Sequence, residues 1–273
     1  MATKVWFITG VSRGFGRYWA EAALQRGDKV AATARNTESL TELVKTYGDA
    51  VLPLQLDVTD RVAARDAVTR AHDTFGRLDI VVNNAGYGLF GTIENLSEQQ
   101  ARAQMETNFF GALWVTQAAL PYLREQKSGH ILQVSSIGGI AAFPMLGLYH
   151  ASKWALEGMS EALAQEVAPF GIHVTLIEPG GFSTDWSGSS SVQVEPGPEY
   201  AFLLEARKNT RTRLPAGDPA ATAKAILTLV DAANPPLRLF LGTSPLNIAR
   251  AAYEQRLKTW EQWDDVSRSA QGN

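Results

Sequence analysis

The chain has 273 residues, of which 19% are charged and 45% hydrophobic, with a net charge of −3 and no cysteine. This balance fits one large α/β domain, spanning 1–273, better than two small ones. It gives no electrostatic case for nucleic acid or an anionic membrane surface, and the lack of cysteine excludes disulfides, thiolate metal sites and thiol nucleophiles.

Apolar runs of strand length alternate with helix-length segments along the chain. Residues 5–9 predict a first strand, 15–26 a helix and Gly27-Asp28 the turn out of it. Further strands are predicted at 29–34, 51–56 and 78–82, with a helix at 62–75. Residues 98–124 then read as one long helix, 131–135 as a fifth strand and 149–170 as another helix. The sixth and seventh strands are expected at 173–178 and 238–241. The strands are nearly all apolar, as when both sheet faces are covered, and repeated strand–helix units imply parallel strands with right-handed crossovers. The expected architecture is a doubly wound Rossmann fold of about seven parallel strands with helices on both faces.

In such a sheet ligands bind at the carboxyl ends of the strands. The first strand is followed by Thr9-Gly10-Val11-Ser12-Arg13-Gly14-Phe15-Gly16. Three glycines opening a helix let a pyrophosphate approach the backbone and the helix N-terminus, whose free N–H groups favour anions. The second strand ends in Ala34-Arg35-Asn36, without the Asp or Glu that holds a ribose 2′-hydroxyl in NAD-binding folds. Arg35, with Arg13 from the glycine loop, instead suits a 2′-phosphate. Asp57, before Val58, is either a helix cap or an acceptor for an adenine amine. The turn Asn83-Asn84-Ala85-Gly86 follows the fourth strand. Ser136 follows the fifth, and Tyr149 and Lys153 lie one helical turn apart on a common face further along.

Together these residues resemble the short-chain dehydrogenases/reductases of the compact, single-domain type. The resemblance rests on Thr9 to Gly16, Asp57, Asn83-Asn84-Ala85-Gly86, Asn108, Ser136, Tyr149, Lys153, and Pro179-Gly180 followed by Thr184, firm from Lys4 to Thr184 and weaker on to Gly242. It implies that Tyr149 is the catalytic acid/base. Lys153 would bind the nicotinamide ribose and lower the tyrosine pKa, Ser136 would polarise the carbonyl, and Asn108 would hold a relay water. It implies a cofactor site of Gly10, Ser12, Arg13, Gly14, Phe15, Gly16, Arg35, Asp57, Val58, Asn84, Ala85, Gly86, Tyr149, Lys153, Pro179, Gly180, Phe182 and Thr184. Arg13 and Arg35 stand where the family's NADP(H) users carry arginines. The Gly181-Phe182 pair after Pro179-Gly180 departs from the family pattern.

The expected activity is therefore hydride transfer between NADP(H) and a carbonyl or alcohol. Residues around the nicotinamide, among them Tyr87, Leu89, Phe90, Ile137, Phe143, Met145, Leu146 and Trp186, are mainly apolar, which favours an aromatic or aliphatic ketone or aldehyde over a sugar phosphate. A non-catalytic nucleotide sensor or scaffold of the same fold would be expected to have lost Tyr149, Lys153 or Ser136, and all three are present. His150 reads as a packing or interface residue rather than a catalytic one. The Gly- and Ser-rich segment 180–197, with a short helix near 199–208, is expected to form a substrate lid over 180–210. A C-terminal helical extension is expected at 245–264, where Leu246, Ala249, Tyr253, Leu257 and Trp260 form an apolar stripe that must be buried against the lid or a partner. The resemblance implies a homodimer or homotetramer through the helices that hold Asn108 and Tyr149. The four histidines show no metal-ligand spacing, so no metal is expected. No secretory signal shape or membrane-length apolar run is present, and the expected location is cytoplasmic.

Overall fold

A computed structural model describes residues 3–188, 190–211 and 216–272. In chain order the first half contains β1 (Val5–Ile8), α1 (Gly14–Gln25), β2 (Lys29–Ala34), α2 (Thr41–Tyr47), β3 (Val51–Gln55), α3 (Arg61–Phe75), β4 (Ile80–Asn83), β5 (Leu89–Phe90), α4 (Glu98–Met105) and α5 (Gly111–Gln126). The second half contains β6 (Gly129–Val134), α6 (Gly147–Val167), β7 (Ile172–Pro179), β8 (Val192–Gln193), α7 (Ala201–Arg211), α8 (Thr222–Asp231), β9 (Arg238–Leu241), α9 (Pro245–Gln262) and α10 (Asp264–Ser269).

Seven strands form one parallel sheet in the order β3-β2-β1-β4-β6-β7-β9. This is the expected doubly wound Rossmann architecture. The seven predicted strands match the sheet strands to within about two residues at each end. Along β1, Trp6 and Ile8 pack into one core while Val5 and Phe7 pack into the other. That alternation follows from the period of two in a strand, and two apolar faces require two helical layers. The first core is roofed by α1, α2 and α8, the second by α3, α5 and α6. Two indoles sit at zero exposure in the first core, and each finds a partner. Trp6 Nε1 donates to Asp28 at 2.8 Å, and Trp19 Nε1 donates to Thr222 Oγ1 at 2.8 Å. Burying an indole N–H without an acceptor would cost the hydrogen bond it makes in water.

The sheet order reverses between β2 and β4, on either side of β1. At that switch point the strand-end loops diverge and leave a crevice at their carboxyl ends. Local sequence fixes the elements around it. Asp60 caps α3 by accepting from the backbone of Val62 and Ala63, and Gly76 ends that helix at φ +78°.

Several elements differ from expectation. The predicted helix over 98–124 is interrupted by a π-helical turn at Glu106–Phe110, between α4 and α5. The seven-residue α2 has no counterpart among the predicted helices, because it is too short to show a period. The helix α8 was likewise not anticipated. The lid helix expected near 199–208 is found as α7, after a 3₁₀ turn at Pro198–Tyr200. Within 180–197, β8 pairs in parallel with β5, and a 3₁₀ turn covers Asp185–Ser187. The tail is helical as expected, but the predicted stripe is not buried within the chain. Only Ala249 of its five residues is buried, packing with Ile137 and Ile140, while Leu246, Tyr253, Leu257 and Trp260 remain exposed. The inward face of α9 is instead made by Pro245, Ile248 and Ala249.

Candidate active site

The glycine loop takes the shape its residues require. Gly10 adopts φ +71° and Gly14 φ +62°, a region where a Cβ is strained. A Cβ on Gly16 would stand 2.6 Å from the Gly10 carbonyl and 2.5 Å from Asn84 Nδ2, so only glycine fits the contact between α1 and its loop. Beyond Gly14 the space is open, with nothing within 4 Å of where a Cβ would lie. The residue at the N-cap of α1 is Arg13, whose side chain makes no cap bond. The first N–H groups of α1 thus face an open cradle, as an anion site demands.

The turn after β4 is tied to this loop. Thr9 Oγ1 accepts from the backbone N–H of Asn84 and of Ala85, each at 2.9 Å. Asn84 Nδ2 donates to the carbonyls of Thr9 at 2.9 Å and Gly10 at 3.1 Å. Asn83 points into the sheet, donating to Thr116 and Gln133. A Cβ on Gly86 would come 3.0 Å from Asn108 Oδ1 and 3.8 Å from Lys153 Nζ. A bare backbone therefore lines a slot running from the glycine loop to Lys153.

Asn108 sits in the π-helical turn and is buried. Its Nδ2 donates to the Tyr87 carbonyl at 3.1 Å and to Ser152 Oγ at 3.2 Å, and its Oδ1 accepts from Tyr87 N–H at 3.1 Å. A π turn displaces the helical hydrogen bonds by one residue and often marks a functional position.

Ser136 caps the 3₁₀ turn Ile137–Gly139 and accepts from Gly138 N–H at 3.0 Å. Its hydroxyl also acts on the Tyr149 phenol, favouring the ionised form. Tyr149 and Lys153 are both buried in the first two turns of α6. Lys153 Nζ lies 5.8 Å from the centre of the Tyr149 ring and donates to the Val134 carbonyl at 2.7 Å. Burial pushes Tyr149 up to about 12, against the opposing pull of the Ser136 hydrogen bond. Burial pulls Lys153 down to about 8, with Glu157 acting in the other direction. The expected lowering of the tyrosine pKa is thus not a property of the protein alone. Desolvation outweighs the pull of Ser136 and favours the neutral phenol, which is a proton donor.

The other predicted cofactor residues are spread along the slot. Arg35 is exposed at the end of β2. Arg13 pairs with Asp185, Nη1 to Oδ2 at 3.2 Å, an ion pair between the glycine loop and the segment after β7 that the sequence did not suggest. Asp57 makes a local turn, accepting from the N–H and hydroxyl of Thr59 at 3.0 and 2.8 Å. Val58 packs against the start of α5, where a Cβ on Gly111 would meet it at 2.6 Å. Pro179 ends β7, and Gly180 N–H donates to the Leu241 carbonyl at 2.9 Å. Phe182 is edge-on to Phe15 at 5.3 Å, joining the segment after β7 to the start of α1. Thr184 caps the turn that carries Trp186.

Trp186 roofs the other side. Its ring lies 4.9 Å from Tyr149 and 5.2 Å from Phe90, over the backbone of Gly88. Leu89, Phe90, Ile137 and Met145 are buried nearby, and Phe143 is 40% exposed against His150. His150 is buried, and burial pulls it down to about 4, so it is a neutral packing ring. Among the described residues no group of three or more His, Cys, Asp or Glu could hold a metal, and no helix is long and apolar enough to cross a membrane.

Comparison with known proteins agrees with this geometry. Residues 4–194 match the short chain dehydrogenase family. The chain belongs to that family. It is thus an oxidoreductase by family. A related fungal protein, oxidoreductase BOA17 of Botryotinia fuckeliana, is 45% identical over 271 residues, covering 97% of this chain and 98% of that one. The 3-ketodihydrosphingosine reductase of Bacteroides thetaiotaomicron is 37% identical over 246 residues, 89% of each chain. The crystal structure of a short-chain dehydrogenase from Streptomyces avermitilis superposes with a TM-score of 0.92 at 40% identity, covering 98% of this chain and 99% of that one.

Proposed function

We propose that this oxidoreductase reduces an apolar or aromatic ketone or aldehyde with NADPH, and runs the reverse alcohol oxidation with NADP⁺. One observation carries the reading: Tyr149 and Lys153 are buried together in the first two turns of α6, Lys153 Nζ 5.8 Å from the phenol ring, with the Ser136 hydroxyl acting on that phenol from the end of β6. A similarity to a 3-ketodihydrosphingosine reductase, whose name denotes a ketone reductase, supports the carbonyl class.

A bound NADPH supplies a hydride for the carbonyl carbon, and the remaining work falls to this chain. Ser136 donates a hydrogen bond to the carbonyl oxygen. Tyr149 delivers the proton that the forming alkoxide needs, and its burial keeps it protonated for that task. Lys153 holds a positive charge under the phenol as the proton leaves, which favours the tyrosinate. Asn108, held by Tyr87 and Ser152, positions the water that returns a proton through Lys153. Trp186 and the segment 180–210 act as the lid that excludes water. The glycine loop, Asn84 to Gly86, Pro179, Gly180, Phe182 and Thr184 form the dinucleotide cradle, and Arg13 and Arg35 select the 2′-phosphate. The subunits pair through the helices of Asn108 and Tyr149, which light scattering would test: a monomer at micromolar concentration removes this part.

The purified protein should oxidise NADPH when mixed with a panel of aromatic and aliphatic aldehydes and ketones. NADPH should be preferred over NADH at least about tenfold in kcat/KM, about 1.4 kcal/mol and within reach of one charge-assisted contact. Arg35→Asp should reverse that preference. Equal use of both cofactors by the wild type would show that these arginines are ordinary surface charges.

A further inference from the structure

The face of α6 that carries Tyr149 and Lys153 continues one turn further to Glu157, since positions four apart share a face. Glu157 is buried. Its Oε1 accepts from the hydroxyl of Ser135, the residue before Ser136, at 2.5 Å, and its Oε2 lies 3.0 Å from Arg238 Nε. The loop after Ser136 rests on this pair. A Cβ on Gly139 would fall 2.7 Å from Ser135 Oγ and 2.9 Å from Glu157 Oε1.

Beside it, on β7, stands Glu178 with no solvent exposure. Neither of its oxygens accepts a hydrogen bond from a described donor. Its contact with a cation is Arg238 Nε at 3.5 Å, and that guanidinium already serves Glu157 and, at 2.7 Å, Glu161. The two carboxyls converge on one nitrogen, Arg238 Nε, with Glu157 Oε2 at 3.0 Å and Glu178 Oε1 at 3.5 Å. Ionised carboxylates only accept, so a proton on one of the two supplies the donor that Glu178 lacks. Two buried carboxyls this close do not both ionise. The charged groups facing the pair are Lys153 and Glu161 on α6 and Arg238 on β9.

We propose that Glu157 and Glu178 share one proton and act on the reaction through Lys153, with Glu157 stabilising the ammonium form and Glu178 limiting the negative charge that the lysine meets. Both are positioning residues, and this inference rests on the roles given above to Tyr149 and Lys153. Burial pulls Lys153 down while Glu157 raises it, and burial together with Glu157 pushes Glu178 up to about 8, both in the sense that the geometry requires.

The test follows the Lys153 ammonium by NMR of isotopically labelled lysine across pH, its signal assigned by loss in Lys153→Met. The alkaline limb of kcat/KM for NADPH-dependent reduction of an aromatic aldehyde is recorded in parallel. Glu157→Gln removes the negative charge, so both midpoints should move to lower pH by about one unit. Ser135→Ala removes the donor that favours ionised Glu157 and should move them the same way by less. Glu178→Gln removes the competitor for the proton, and its amide can donate to Glu157, so both midpoints should move to higher pH. Variants that lower activity equally at every pH and leave the lysine midpoint in place would overturn the proposal. If Glu157→Gln does not fold, Ser135→Ala and Glu178→Gln decide it, since midpoints that fail to move in opposite directions are equally fatal. Shifted lysine midpoints in a protein that reduces no carbonyl would instead sink the assigned reaction and leave the pair standing.

Discussion

The two walls of the cleft are held by different forces. On the wall formed by the glycine loop, β1, α1 and the turn after β4 are locked together by buried apolar contacts and by hydrogen bonds between side chains and backbone. Thr9 and Asn84 alone make four of these, between 2.9 and 3.1 Å. On the opposite wall, Trp186 stands on a short turn, a two-residue strand pairs with another two-residue strand, and the Arg13–Asp185 ion pair has side chains 50% and 57% exposed. A pyrophosphate needs a rigid cradle, because its contacts are backbone N–H groups that must already point inward. A substrate entering by the other side needs a wall that can open. The two walls thus differ in firmness, with packed apolar contacts on one and few, exposed contacts on the other.

Substitutions that exchange these properties should break the comparison. The largest effect on stability is expected from Trp19→Ala, which empties a fully buried indole site and removes the indole donor to Thr222 Oγ1. Loss of a core aromatic costs about 3–5 kcal/mol, read by denaturant unfolding. A loss below about 1 kcal/mol would mean that the nucleotide wall is no firmer than the lid. Trp186→Ala comes next. It removes two ring contacts of about 1 kcal/mol each from a half-buried position, so the midpoint of thermal unfolding should change little. KM for the carbonyl should nevertheless rise about tenfold, with NADPH affinity intact. Loss of NADPH affinity to the same degree would show that Trp186 belongs to the cofactor wall. The smallest effect is expected from Asp185→Ala. An exposed ion pair contributes about 0–1 kcal/mol, so stability should hold, and NADPH should bind up to about fivefold more tightly as Arg13 turns to the 2′-phosphate. Tighter binding of NADH by the same factor would contradict that account.

The same contrast separates what was legible in the sequence from what was not. The nucleotide wall announces itself, because a cradle without Cβ atoms needs glycine at fixed positions, and Gly10, Gly14 and Gly16 occur directly after an apolar strand. A Tyr-x-x-x-Lys spacing alone is common, and the Tyr149–Lys153 pair takes its weight from Ser136 ending the preceding strand and from the glycine loop upstream. The π turn at Asn108 was not legible, since an extra residue in a helical turn leaves no periodic mark in a single sequence. Nor was the Glu157–Glu178 pair, because the two residues are brought together by the packing of α6 on β7 rather than by spacing. Glu178 reads as a polar strand end until the fold shows it with no exposure. The tail misled for a related reason. Its stripe has helical spacing, yet α9 is turned so that Ile248 and Ala249 face inward while Trp260 stays 60% exposed. Periodicity shows that a helix has a face but not which neighbour is there to cover it.

The central claim is that the Tyr149 hydroxyl is the proton donor of a carbonyl reduction, and Tyr149→Phe tests it most directly. Only a hydroxyl is removed from a buried ring, so unfolding and NADPH affinity should stay close to wild type. Single-turnover reduction of an aromatic aldehyde by bound NADPH should slow by at least about a hundredfold, the lower end of general-acid effects. A Phe variant that keeps most of the wild-type rate, with its fold and cofactor affinity unchanged, would contradict the account.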